Sequence, residues 1–124
     1  MGLRCRCHFS ISAVALRLSK EKGLTTAENA RLFALLGIAV ADAGIVSWDA
    51  KYEYNLWRPI TAIRSADTDG NSATTPDAAW SPLLTTPNFP TYTSGHSTFS
   101  GAAATILDAV FGANAPFSTS SAFL

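Results

Sequence analysis

The chain has almost no net charge to work with: nine Lys and Arg stand against nine Asp and Glu in 124 residues, and only 15% of positions are charged. Without a global field, neither nucleic acid nor an anionic membrane surface is implied as a partner, and any anion site has to be local. Cysteine is scarce too. Cys5 and Cys7 form a C-x-C beside His8, a spacing that seldom permits an unstrained disulfide, and two thiols with one histidine are too few for a closed zinc site. No internal repeat and no long low-complexity tract is present. No stretch shows the strict apolar–polar alternation of a strand, which leaves an all-α fold class. There is no clear signal peptide: Arg4 and Arg6 precede an apolar stretch at residues 9–16, but Arg17 cuts it and Lys20 and Lys22 follow, so the compartment stays open. The opening Met-Gly lacks the Ser or Thr at position 6 that myristoylation requires. Two apolar stretches approach membrane length, residues 32–48 and 101–117. The first holds Asp42; the second holds Asp108, Gly112 and Pro116. Both read better as buried helices of a bundle than as spans.

What is there is helical punctuation. Thr25 followed by Glu28 is a capping-box pattern, so a helix is expected from Thr26 to about Trp57, where Pro59 stops it. Pro59 then opens a short helix to about Ala66. Asp67, Asp69, Gly70 and Asn71 make an Asx-type turn rather than a calcium loop, because position twelve of that loop would be Ala78. A long Pro/Thr/Asn-rich loop runs to Thr93. A third helix is expected from Ser94-Gly95-His96 to Phe111, with Gly112 as its stop. Residues 1–24 stay unassigned, and residues 25–124 form one partial helical-bundle domain.

Chemistry enters on the first long helix. With Lys51 at zero on a wheel of about 100° per residue, Arg58 falls at about −20°, and Phe33, Val40, Gly44 and Ser47 lie within about 40° of that stripe. Asp42, Asp49 and Glu53 take the opposite, solvent side. Two cations on a stripe that upstream is apolar point to an anion held between them; the alternative is that the helix ends early and both reach water. Ser94-Gly95-His96 is the second signal. Ser94 is a candidate N-cap, Gly95 and His96 would present free backbone N–H groups at a helix N-terminus, and His96 can exchange protons with a bound oxyanion; the alternative is a lone capping histidine. The tryptophans, Trp48, Trp57 and Trp80, are expected in the core or as pocket walls, and Arg64 at the surface or paired with Asp67.

Together the signals read Lys51-x6-Arg58-Pro59, then a loop, then Ser94-Gly95-His96. This resembles the first two motifs of the superfamily of vanadium haloperoxidases, class A bacterial acid phosphatases and type 2 phosphatidic acid phosphatases. The likeness extends through Trp48-Asp49-Ala50-Lys51-Tyr52 and Trp57-Arg58-Pro59-Ile60-Thr61-Ala62-Ile63-Arg64. It continues in Trp80-Ser81-Pro82-Leu83-Leu84, Thr86-Pro87-Asn88-Phe89-Pro90 and Ser94-Gly95-His96-Ser97-Thr98-Phe99-Ser100-Gly101, with Thr93 where many members carry proline. The resemblance implies that Lys51, Arg58, Ser94 and Gly95 bond the equatorial oxygens of vanadate or phosphate. It implies His96 as the acid/base residue and Lys51 as the group that polarises bound peroxide. Hydrogen peroxide and a halide would then be the substrates of a haloperoxidase, and a phosphate ester those of a phosphatase of the same superfamily. The family's third motif supplies a further arginine and the histidine that bonds vanadium; after His96 this sequence has no Lys, Arg or His. The sequence is therefore expected to be a truncated copy, a partial gene model or a degenerate remnant, with a non-catalytic helical remnant as the reading from a different class.

Overall fold

A computed structural model describes residues 7–118, with side chains from Ile11 onward. The elements run α1 (Cys7–Lys22), α2 (Thr26–Tyr54), α3 (Pro59–Arg64), a 3-10 turn (Ala66–Thr68) and α4 (Gly95–Phe111). Among the described residues there is no strand. Cys5 falls outside them, and the side chains of Cys7 and His8 are not described, so the thiol reading is not addressed.

The chain forms two compact units. Among the described residues, one joins 7–46 with 95–118; the other is Ser47–Ser94. In the first unit, α1 packs against α4. Its core is Ala15 from α1, Leu32, Leu36 and Val40 from α2, and Ala103 from α4, with Phe33, Phe99, Ile106 and Leu107 packed around it. The segment left unassigned by its sequence thus supplies a whole helix to the core. It does so through a tight corner. Gly23 takes φ +67, Leu24 N–H reaches the Ser19 carbonyl at 3.1 Å and Gly23 N–H the Lys20 carbonyl at 3.2 Å, a Schellman stop that only glycine adopts without strain. Thr25 then caps α2: the Glu28 carboxylate accepts from Thr25 N–H at 2.8 Å and from its hydroxyl at 2.7 Å, and Glu28 N–H donates back to Thr25 Oγ1 at 3.3 Å. These bonds hold the Glu28 carboxyl below its ordinary value. Asn29 locks the corner, its amide donating to the Leu24 and Thr25 carbonyls at 3.0 Å and its carbonyl oxygen accepting from Ser19.

Where α2 meets α4, Gly44 lies against the Phe99 ring; a Cβ built at Gly44 would stand 3.1 Å from Phe99 Cε1. By length and composition α2 is apolar enough to cross a membrane. It nevertheless spends Leu32, Leu36, Val40 and Ala43 on the core of its unit, and Asp42 sits exposed at its middle. Away from the core, Leu35, Ile38, Ile45 and Val46 are exposed.

In the second unit α2 ends at Tyr54, three residues before the expected Trp57. Asn55 takes φ +43, a left-handed conformation that asparagine tolerates better than most residues, and its N–H closes the last turn on the Lys51 carbonyl at 2.9 Å. α3 starts at Pro59 as expected but stops at Arg64, two residues short, where the chain tightens into the 3-10 turn. The loop that follows is held by Asx turns: Asp69 accepts from Asn71 N–H at 2.7 Å, Asn71 from Ala73 at 3.0 Å and Asp77 from Ala79 at 2.9 Å.

Candidate functional site

In Ser47–Ser94, the last turns of α2 carry Lys51 inward. Ser47 and Lys51 lie one turn apart on one face, each with 1% of its surface exposed, while Asp49 and Glu53 point to water. The Lys51 ammonium donates to the Pro90 carbonyl at 3.0 Å and to the Thr93 carbonyl at 2.5 Å. Ser47 Oγ and Thr93 Oγ1 are hydrogen-bonded at 2.9 Å, and Thr93 Oγ1 also reaches the Ser47 carbonyl at 3.4 Å. Arg58 is half-buried at the N-cap of α3, where the chain is extended (φ −71, ψ 153) because a proline follows. Its Nε donates to the Phe89 carbonyl at 2.6 Å.

Aromatic rings complete this surrounding. Lys51 Nζ lies 4.9 Å from the Phe89 ring centroid and 5.6 Å from that of Trp48, and Arg58 Cζ lies 4.7 Å from Phe89. The Trp48 and Phe89 rings meet at 5.3 Å with a 54° tilt. Burial, and then the Arg58 charge, push the Lys51 ammonium below its ordinary value near 10.5. Among the described residues the ion pair is Arg17–Glu21 on α1, so neither Lys51 nor Arg58 has a carboxylate partner. Beside Arg58 an open depression of about 320 Å³ is lined by Trp57, Thr61, Thr86, Asn88 and Phe89; Lys51 does not line it.

The structure thus gathers Lys51 and Arg58 around the loop at residues 89–93. Ser94, exposed, is the last residue of this unit; Gly95 and His96, the latter also exposed, are the first two residues of α4 in the other. Along α4, Ala103 is buried and Phe99 and Ile106 half-buried, while Val110 on the same stripe is 41% exposed. Trp48 and Trp57 line the site and the depression rather than filling a core. Arg64 is exposed, as expected of a surface cation, and donates to the Trp80 carbonyl at 2.8 Å rather than pairing with Asp67. Sequence reasoning missed the carbonyls of Phe89, Pro90 and Thr93 and the hydroxyl pair; the place of Ser47 on the lysine stripe was the one signal available.

The model of the VCPO second helical-bundle domain matches residues 31–123. The chain belongs to the vanadium haloperoxidase superfamily. Within that superfamily it is 37% identical over 107 residues to the vanadium chloroperoxidase of Curvularia inaequalis, an alignment that covers 74% of this chain and 17% of the fungal enzyme. The chain therefore spans about a sixth of that haloperoxidase. No solved structure matches it at a significant level.

Proposed function

We propose that the chain carries the first part of a haloperoxidase-type oxyanion site, in which Lys51 and Arg58 supply positive charge and hydrogen bonds to vanadate. The observation that carries this reading is the burial of Lys51 beside a second cation, with no carboxylate among the described residues to neutralise either. A buried ammonium needs compensation, and neutral carbonyls give less of it than an anion does. The donor set fits a tetrahedral oxyanion: a point-charge ammonium, a forked guanidinium, and by motif the hydroxyl and N–H groups of Ser94 and Gly95. Bound vanadate would supply the electrophilic centre for oxidation of a halide by hydrogen peroxide. Lys51 and Arg58 would hold negative charge in place, and His96 would move a proton at the oxyanion. After His96 these 124 residues offer no further Lys, Arg or His, and binding and turnover are therefore read separately.

The test is vanadium-51 NMR on the purified 124-residue chain, beside bromide oxidation with vanadate and peroxide and a phosphate-ester assay. The expected result is weak vanadate binding that Arg58→Ala reduces at least tenfold, with no turnover in either assay. Absence of vanadate and phosphate binding would sink the site. Turnover lost in His96→Ala would instead overturn the expectation that the chain is inert alone.

A further inference from the structure

We propose that Phe89 is the positioning residue that holds Lys51 and Arg58 side by side before any anion arrives, its ring facing both cations and its carbonyl fixing the guanidinium. Both cations lie within the roughly 6 Å over which an aromatic quadrupole attracts a positive charge, Lys51 Nζ at 4.9 Å and Arg58 Cζ at 4.7 Å. The Phe89 carbonyl accepts from Arg58 Nε at 2.6 Å, so one residue grips the arginine from two directions. Trp48 braces the ring at 5.3 Å.

The need for such a residue follows from charge. Two cations this close repel, and no carboxylate among the described residues answers them. The compensating groups are backbone carbonyls of residues 89, 90 and 93 and the rings of Phe89 and Trp48. The carbonyls would be present with any side chain at position 89; the ring is what phenylalanine adds. The distinction matters when an anion binds, a step that rests on the function proposed above. An incoming oxyanion must take N–H donors away from the carbonyls. The ring has no hydrogen bond to give up, so it keeps its hold on both cations while the carbonyls let go.

The experiment is an NMR titration of the Lys51 side-chain nitrogen in the whole chain. Phe89→Leu keeps an apolar group against the lysine and leaves the Arg58–carbonyl bond intact, but removes the quadrupole. The proton-binding constant of Lys51 is expected to fall about two- to thirty-fold, and Phe89→Tyr to retain the wild-type titration. Phe89→pentafluorophenylalanine keeps the shape of the ring while reversing its quadrupole, so it should lower the constant at least as far as leucine does. It decides the matter if the leucine variant does not fold. An unchanged titration in the leucine variant with helical circular dichroism preserved, or in the fluorinated one, overturns the proposal. In parallel, vanadate affinity should fall in Phe89→Leu. A wild-type chain that binds neither vanadate nor phosphate overturns the reading of the site, and the lysine titration still decides the role of Phe89.

Discussion

A lysine with 1% of its surface exposed has its ammonium surrounded by carbonyls and rings rather than water, and that leaves a mark on the pH dependence of folding. Lys51 holds its proton less tightly folded than unfolded. The cost of keeping it charged is fully present below the lowered folded value. It is relieved as pH rises from there towards 10.5, because the unfolded chain then binds more protons than the folded one. Denaturant unfolding of wild type and Lys51→Met across pH 7–10.5 should show wild type gaining stability relative to the variant as pH rises; a constant difference would contradict the burial. Glu28 runs the other way. Its carboxyl is lowered by Thr25, so its contribution is present above its ordinary value of 4.5 and lost as pH falls through the lowered folded value. Thr25→Ala removes the cap and should cost about 1 kcal/mol, read as a lower denaturation midpoint at pH 7.

On α2 the sequence was legible where side chains write the rule. Thr25 and Glu28 announced the start at Thr26, the apolar stripe announced the buried face, and Gly112 announced the end of α4. The end of α2 was not legible, because Asn55 can continue a helix or leave it, and the nearby Pro59 suggested a later stop. Nor was α1, whose basic residues interrupt its apolar positions and hide a buried face of Val14, Ala15 and Leu18. Two glycines inside α2 separate propensity from packing. Gly37 has nothing within 4 Å of a built Cβ, so Gly37→Ala should stabilise by about 0.5–1 kcal/mol. Gly44 would press a Cβ to 3.1 Å from the Phe99 ring, so the gain at Gly44→Ala should be smaller or reversed. Thermal melts of both variants check this, and equal stabilisation would mean that Phe99 yields freely.

For the whole molecule, the inward placement of Lys51 and Arg58 could be read from the sequence and their bonding partners could not. Lys51 and Arg58 were visible as cations on an apolar stripe, but their partners are carbonyls, and a carbonyl has no letter in the sequence. The role of Thr93 was hidden for the same reason: its oxygens serve Lys51 and Ser47 at once, and only its departure from proline drew notice. The exposed face of Leu35, Ile38, Ile45 and Val46 has a solution consequence: exposed apolar surface of this kind binds hydrophobic dyes and associates. Ile38→Lys with Ile45→Lys should reduce dye fluorescence and concentration-dependent sedimentation, and no change in either would mean that the face is inert.

The hydroxyl pair of Ser47 and Thr93 sits at the two ends of an excursion of the chain, and that position governs the order of assembly. α1 and the first part of α2 are neighbours in sequence, whereas the helix that α1 packs against, α4, lies far along the chain. α4 must wait while the ends of residues 47–93 are brought together. Closing a flexible loop of that length costs on the order of 3 kcal/mol in chain entropy. Once Ser47 and Thr93 meet, much of that loss has already been met, and α4 follows them by one residue of chain. A pair so placed is expected to act as a latch during folding. Ser47→Ala should slow refolding more than it speeds unfolding, a partition that stopped-flow measurements of both limbs would reveal.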